Sequence, residues 1–296
     1  MAQAMIGGLL ANYPPSNITV SEPVSSRAKF LSDAYKIRVV NSNEDAISGA
    51  CHPTLRPADV VVLAVKPQVL KTVASGIAKT VQEHRPLILT IAAGIRCEDL
   101  GRWLGNQNSE TENHVAIVRA MPNTPALVGC GATGLFATNS VSSLQKTLAF
   151  NVLSAFSERI YWVDKEDLLD VVTALSGTGP AYFFLVVECL VDAATKLGLP
   201  RDIATGLAEQ TCLGAGKMVC ESEDSPAILR QKVTSPGGTT EAAIKSLESN
   251  GVRKLWQDAI LAATRRSKEL GDEYGETGVS FFFVFFFFFS MMISAR

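Results

Sequence analysis

The stretch Val60-Val61-Val62-Leu63-Ala64-Val65, followed by Lys66-Pro67-Gln68, decides the fold class of this chain. An unbroken β-branched run is typical of a strand that is buried on both faces of a parallel sheet, and Pro67 ends it. A helical pattern follows over residues 70–82, and residues 87–91 form a second buried run. Strands that alternate with helices predict a doubly wound α/β sheet, a Rossmann-like fold.

The rest of the chain divides into two parts at about Val163. Before it, helices are predicted at residues 1–11 and 25–34, and strands at 18–20, 115–118 and 134–137. After it, only helical patterns occur, at residues 168–175, 181–197, 200–220 and 252–270. The segment Ser176-Gly177-Thr178-Gly179-Pro180 interrupts them, which predicts tight helix crossings or a kink. We therefore predict an α/β domain of residues 1–163 and an all-helical domain of residues 164–271. Such a long apolar bundle suits burial against another subunit.

Composition excludes several classes of function. The chain has 296 residues, 47% of them hydrophobic, and a net charge of −2, which argues against nucleic acid or an anionic membrane as partner. The six cysteines have no paired spacing, and we interpret most of them as core thiols in a reducing compartment. The three histidines are far apart, so no metal site is predicted. No signal peptide is visible at the start, and we expect a cytoplasmic location.

Residues 232–241, Lys-Val-Thr-Ser-Pro-Gly-Gly-Thr-Thr-Glu, form a glycine-rich loop that leads into a helical pattern ending at Asn250-Gly251. Thr239 and Thr240 offer N-cap hydroxyls, and Glu241 suits the first turn. The free N–H groups at such a helix start can bind a carboxylate or a phosphate. An ordinary turn before a capped helix fits the spacing equally well.

Small residues follow three of the predicted strands. Lys66-Pro67, Ala92-Ala93-Gly94 and residues 121–125, Met-Pro-Asn-Thr-Pro, all lie where a buried strand ends. Ligands of doubly wound sheets bind beyond the carboxyl ends of the strands. These segments together predict a crevice for a nucleotide cofactor.

The loop at residues 233–240 also resembles the signature loop of the pyrroline-5-carboxylate reductases. Three further segments resemble the same family in the same order: Leu63 to Gln68, Arg119 to Pro125 and Leu175 to Tyr182. The resemblance runs from residue 1 to about Gly271. It implies reduction of Δ1-pyrroline-5-carboxylate to L-proline, the last step of proline biosynthesis. It also implies a homodimer or larger homo-oligomer that assembles through the helical domain, with the active site near the subunit boundary.

The same resemblance assigns site residues. Thr240, whose hydroxyl would reach the ring nitrogen, is implied in catalysis, together with Glu223 and Lys66, which would support the loop and the nicotinamide end. The substrate-binding residues implied are Glu166, Ser235, Gly237, Gly238, Thr239 and Thr240. The cofactor-binding residues implied are Met1, Ser21, Pro23, Asn43, Ala64, Val65, Lys66, Pro67, Ile91, Ala92, Ala93 and Asn123. Without the resemblance, Glu166 and Glu223 would be interpreted as solvated carboxylates at helix ends.

In a dinucleotide-binding fold, the residues after the second strand set the cofactor preference. The strand predicted at residues 18–20 takes that place here, because the first strand of the fold is not present before the first helix. An acidic residue after this strand favours NAD, whereas hydroxyls and an arginine favour the 2′-phosphate of NADP. Ser21-Glu22-Pro23 is followed by Ser25, Ser26 and Arg27, so the residues alone give a mixed signal. The resemblance favours NADP(H), with NAD(H) possible.

Both ends of the chain depart from the family pattern. A dinucleotide-binding fold opens with a strand and a G-x-G-x-x-G turn, and this sequence has neither before its first helix. We therefore expect the chain to be cut off there and to bind its cofactor poorly. Residues 272–296 contain the tract Phe281 to Phe289. The apolar stretch around it is shorter than the roughly 20 residues that span a bilayer, and we interpret the tail as atypical, a translated non-coding run rather than an anchor.

Two alternatives to this function remain open. A related imine or β-hydroxyacid reductase would share the same arrangement of two domains. An inactive, truncated member of the family would only oligomerise.

Overall fold

A computed structural model describes residues 2–50, 52–53, 55–106 and 114–275. Met1, predicted to bind the cofactor, and the phenylalanine tract lie outside these residues. The first part alternates helices and strands as α1 (Ala2–Asn12), β1 (Thr19–Ser21), α2 (Ser25–Tyr35), β2 (Arg38–Val40), α3 (Asn43–Ser48), β3 (Val60–Leu63), α4 (Pro67–His84), β4 (Leu87–Thr90), α5 (Cys97–Trp103), β5 (Ile117–Met121), β6 (Gly131–Ala137), α6 (Ser143–Ser154) and β7 (Ser157–Trp162).

These strands form two sheets. β1 and β2 pair in parallel, and β3-β4-β5-β6-β7 form a five-stranded sheet in that order. β3, β4 and β5 are parallel, β6 is antiparallel to β5, and β7 is parallel to β6. The predicted doubly wound α/β fold is confirmed. Strands β2 and β7 were not predicted, because β2 has only three residues and β7 carries Glu158 and Arg159 on an exposed edge.

Helix α1 lies across both sheets. Its Met5 packs in one core cluster with Leu87 and Leu89 of β4, and its Ile6 packs in another with Leu31 and Ile37. The prediction that β3 is buried on both faces was wrong in part, since only its last residue, Leu63, is buried. β3 is an edge strand of its sheet, so its exposed edge keeps residues 60–62 accessible, whereas β4 beside it is buried throughout.

The second part of the described chain is helical. It consists of α7 (Leu168–Val172), a π turn (Thr173–Gly177), α8 (Gly179–Lys196), α9 (Arg201–Glu221), α10 (Pro226–Lys232), α11 (Thr239–Ser249) and α12 (Val252–Tyr274). The glycine-rich segment at 176–180 was predicted to mark tight helix crossings or a kink, and the π turn includes its first two residues, Ser176 and Gly177. Residues Leu168–Lys196 form one continuous stretch that by length and composition alone could cross a membrane.

Most apolar side chains of α8 and α9 are exposed. The largest exposed ones include Phe183, Phe184, Leu190, Ile203, Leu207 and Leu213. The interpretation of the cysteines as core thiols holds for Cys97 but was wrong for Cys130, Cys189 and Cys220, which are exposed. Two of these lie on α8 and α9, whose outer faces have no covering layer in the described chain.

Candidate active site

The predicted cofactor residues line the carboxyl ends of the strands. Ser21 ends β1, Pro23 follows it, and Asn43 is the first residue of α3, just after β2. Ala64, Val65 and Lys66 follow β3, and Pro67 begins α4. Ile91, Ala92 and Ala93 follow β4. The structure thus brings the predicted residues to the edge where ligands of such sheets bind.

The side chains at this edge differ in exposure, and Ala92 is buried. Ala64 and Lys66 are exposed, and Val65 and Ala93 are half-buried. Lys66 is the N-cap of α4, although no side-chain bond caps the helix.

Asn123, which follows β5, is an exception. Its side chain is buried, donates from Nδ2 to the Ser176 carbonyl (3.1 Å) and accepts at Oδ1 from the Ala132 N–H (2.9 Å). Both ends of this carboxamide are therefore used within the protein. The adjacent Pro122 is buried as well.

The predicted substrate loop lies at the start of α11. Gly237 has a φ of +71°, and its N–H donates to the Glu241 carboxylate (2.5 Å). Lys245 and this N–H lower the pKa of Glu241. The first helical bond of α11 runs from the Ala242 N–H to the Gly238 carbonyl, so the preceding N–H groups have no partner within the helix. The Gly237 N–H is held by Glu241 and the Gly238 N–H donates to the Ser235 carbonyl (3.0 Å), so the N–H groups of residues 239–241 are the ones left for an anion.

The N-cap prediction for this helix was wrong. The N-cap is Gly238, which has no side chain to cap the helix, and α11 begins at Thr239. Thr239 and Thr240 thus occupy the first turn, because Gly238 takes the extended conformation that precedes the helix. Thr239 is exposed and Thr240 is half-buried. Neither hydroxyl is used for capping, which leaves both available for a ligand.

The three residues implied in catalysis are not joined within one chain. Glu223 lies between α9 and α10 and is exposed, as is Lys66 at the sheet edge. The structure gives them no hydrogen bond or ion pair with each other. Ser235, Gly237 and Thr240 all lie in the helical domain, away from the strand ends in sequence and exposed or half-buried.

Glu166 belongs to a cluster of charges between the two domains. Its Oε1 accepts from the Cys97 N–H at 2.7 Å and pairs with Arg119 Nη1 at 3.0 Å. Arg119 Nη2 lies 3.6 Å from Asp170, which accepts from the Ser267 hydroxyl at 2.7 Å. Without the family resemblance Glu166 would be interpreted as a solvated helix-end carboxylate, but it pairs with Arg119, which is buried.

Cys97 is buried beside this cluster. Burial, with the nearby Glu166 carboxylate, raises the pKa of the Cys97 thiol well above its ordinary range. A thiol held protonated is a poor nucleophile. Cys97 is thus a structural residue at this junction.

The last turn of α12 contacts the same edge of the sheet. Gly271 packs so closely on Gly94 that a Cβ on it would lie 2.8 Å from the Gly94 carbonyl. Asp272 pairs with Arg96, and Tyr274 accepts from Gln68 Nε2 at 2.9 Å. The helical domain thus reaches the segments that follow β3 and β4.

Sequence reasoning missed the role of Arg119 and its partners. The signal was present, since a single arginine continues the apolar run Val115 to Val118. A buried arginine needs a carboxylate partner, but its partners Glu166 and Asp170 lie about 50 residues further on. Spacing alone cannot identify them.

Two family models match the chain. Residues 166–270 match the model described as pyrroline-5-carboxylate reductase dimerisation. Residues 1–94 match the model described as NADP oxidoreductase, coenzyme F420-dependent. The first of these begins at Glu166, beside the change from sheet to helices.

Curated relatives and solved structures extend this likeness to most of the chain. The chain is 45% identical over 277 residues to the pyrroline-5-carboxylate reductase of Pseudomonas aeruginosa, covering 93% of this chain and 95% of that protein. It is 40% identical to that of Synechocystis over 92% of this chain and 95% of the relative.

Among solved structures, the pyrroline-5-carboxylate reductase of Coxiella burnetii has a TM-score of 0.82 at 41% identity, with 91% of this chain and 94% of that chain covered. The Plasmodium falciparum enzyme, solved with NADP bound, has a TM-score of 0.74 at 30% identity, with the same shares covered. This chain belongs to the pyrroline-5-carboxylate reductase family.

Proposed function

We propose that this chain reduces Δ1-pyrroline-5-carboxylate to L-proline with NADPH. The observation that supports this most is its 45% identity, over 93% of its length, to a reductase of that name. The NADP in the Plasmodium structure favours NADPH over NADH, whereas the residues after β1, which include Glu22 as well as Arg27, give a mixed signal. We also propose a cytoplasmic location, domain limits near 163 and 271, and the site roles set out below.

When bound, NADPH supplies the hydride that the imine carbon of the substrate receives. For the cofactor we propose Ser21, Pro23 and Asn43 at its phosphate-bearing end and the segments at 64–67 and 91–93 at its nicotinamide end. No nucleophile is required of the protein. It must bind the substrate, orient the imine carbon and supply a proton at nitrogen.

The start of α11 supports the binding of the substrate carboxylate. Ser235, Gly237, Gly238 and Thr239 surround N–H groups that precede the first bond of the helix, and a helix start favours a negative charge. Glu241 would have to release the Gly237 N–H for that group to bind substrate. The Thr240 hydroxyl, free of capping, would reach the ring nitrogen and hold the imine for protonation.

We propose that the complete site forms between subunits. The exposed apolar faces of α8 and α9 suit burial in a homodimer through the domain whose family model is named for dimerisation. The same burial accounts for the long apolar stretch Leu168–Lys196. Dimer formation would also bring Glu223 and the substrate loop to a strand edge carrying Lys66.

A direct assay tests the function. The purified chain is incubated with NADPH and Δ1-pyrroline-5-carboxylate, NADPH consumption is followed by absorbance, and proline is measured by chromatography. We expect proline in a one-to-one ratio to NADPH consumed and far slower turnover of other cyclic imines and of β-hydroxyacids. Faster turnover of one of those substrates would favour the related-reductase alternative. A dimer that makes no proline would favour an oligomerising protein without activity.

A further inference from the structure

The π turn leaves the carbonyl of Ser176 without a helical donor. Its defining bond runs from the Thr178 N–H to the Thr173 carbonyl (2.8 Å). In an α-helix, the carbonyl of Ser176 would accept from residue 180, but Pro180 has no N–H. In a continued π turn it would accept from Ala181, but the Ala181 N–H donates to Thr178 (3.0 Å).

Side chains satisfy the carbonyls around this turn. The Ser176 hydroxyl donates to Val172 (3.0 Å), the Thr178 hydroxyl to Thr173 (3.1 Å), and the Tyr182 hydroxyl to Ala174 (3.0 Å). Each of these donors comes from the helical domain itself. The carbonyl of Ser176 differs, because its donor is Asn123 of the sheet domain (3.1 Å).

The two segments touch at a second point. A Cβ on Gly177 would collide with the side chain of Met121, the last residue of β5. Asn123 is also fixed from behind, since it accepts from the Ala132 N–H on β6 (2.9 Å). The end of β5, the start of β6 and the π turn therefore meet at one buried carboxamide.

We propose that Asn123 is a positioning residue. Its carboxamide replaces the hydrogen bond that Pro180 removes and so fixes where α8 leaves the carboxyl edge of the sheet. This assigns Asn123 a role other than the cofactor contact expected from sequence.

The consequence for catalysis rests on the proposed function. β5 ends at the cofactor edge, and α8 carries the apolar face that would join the subunits. A displacement of about 1 Å between a hydride donor and its acceptor can reduce a rate by about a hundredfold. Loss of this bond should therefore lower kcat more than it weakens NADPH binding.

The variant Asn123→Asp tests the link at about pH 8, where an ordinary aspartate is ionised and cannot donate. Hydrogen–deuterium exchange of residues 173–182 is measured by mass spectrometry in the full-length protein, alongside residues 143–154 of α6 as an internal reference. We expect exchange at 173–182 to rise at least about tenfold, with α6 unchanged. Asn151→Asp, on the exposed face of α6, is the matched control and should leave residues 173–182 unchanged.

Pro180→Ala supplies the decisive second variant, because an alanine at this position provides an N–H for the Ser176 carbonyl. In the double variant with Asn123→Asp, exchange at residues 173–182 should return most of the way to that of Pro180→Ala alone. If Asn123→Asp does not fold, the double variant must restore folding. Absence of such rescue would overturn the proposal.

Activity gives an independent readout. We expect Asn123→Asp to lower kcat about 10- to 100-fold, with the KM for NADPH changed less than about threefold. A large rise in that KM with normal exchange at residues 173–182 would make Asn123 a cofactor ligand and overturn the proposal. Altered exchange in a chain that makes no proline would leave the structural link standing and count against the proposed reaction alone.

Discussion

Leu87, Ile88 and Leu89 of β4 are fully buried, whereas Phe183 and Phe184 of α8 are 64% and 68% exposed. Both stretches are continuous apolar runs. The strand is covered on both sides by helices and neighbouring strands of the same chain, and the helix is not. The core around β4 is therefore completed within one chain, while the helical domain lacks a layer that another copy of the chain would supply.

The junction between the two domains is buried, as the central strand of the sheet is. Arg119 and Asn123 are both buried and bonded, as expected of a permanent contact. The predicted substrate loop is largely exposed, as the apolar face of α8 is. The hydroxyls of Thr239 and Thr240 make no capping bond. The buried contacts that form within one chain hold the two domains together. The exposed apolar face of α8 and the exposed loop are where we expect the partner subunit and the substrate to bind.

The largest expected effect concerns the exposed face of α8. Phe184→Glu would place a charge at the centre of the proposed interface, and we expect the dimer dissociation constant to rise about 100- to 1000-fold or more. Sedimentation velocity measures it. Phe30→Glu makes the same change at an exposed phenylalanine of the sheet domain and should leave assembly unchanged. An intact Phe184→Glu dimer would mean that another surface joins the subunits.

Next is the buried arginine of the junction. Arg119→Met leaves Glu166 and Asp170 without their cation, and breaking such a pair costs about 3–5 kcal/mol. Urea denaturation measures this as a loss in the free energy of unfolding. Adding Glu166→Gln removes one of the two uncompensated charges and should recover part of the loss. If Arg119→Met costs less than about 1 kcal/mol, the cluster does not hold the domains together.

The sequence predicted those structural features that are set by residues close together in the chain. The buried runs at 60–65 and 87–91 indicated the sheet, because hydrophobic periodicity is a local property. The four motifs resembled the reductase family because each is contiguous. The kink after Leu175 was predicted from Gly177 and Pro180, but not the donor that repairs it.

The misses arose from long-range contacts. Nothing near Asn123 indicates that its partner is the carbonyl of Ser176, 53 residues away. The pairing of Glu166 could not be predicted either, because its partners, Cys97 and Arg119, lie on other elements. The exposure of β3 follows from its place at the edge of its sheet, which composition cannot reveal.

A substitution at Thr240 tests whether the exposed loop takes part in the chemistry. If its hydroxyl holds the imine nitrogen, Thr240→Val keeps the shape and should lower kcat/KM for Δ1-pyrroline-5-carboxylate by roughly 10- to 1000-fold. NADPH affinity and oligomer size should remain unchanged. Thr239→Val, one residue away and more exposed, is the matched control and should have a smaller effect. Near-normal kcat/KM in Thr240→Val would leave the loop only its backbone N–H groups.

The smallest effect concerns where the helical domain ends. The family resemblance stops near Gly271, yet α12 continues to Tyr274. Asp272 pairs with Arg96, Tyr274 bonds to Gln68, and the Tyr274 ring packs against the sheet core. Two truncations, one lacking residues 272–296 and the other lacking 276–296, differ only in this last turn.

We expect the longer deletion to be less stable than the shorter one by about 1–2 kcal/mol. Most of that difference should come from the tyrosine ring, because an exposed ion pair such as Arg96–Asp272 contributes little. Midpoints of urea denaturation give the difference, and Asp272→Ala alone should cost less than about 0.5 kcal/mol. Equal stability of the two truncations would mean that the residues after Gly271 contact the segments that follow β3 and β4 without stabilising the fold.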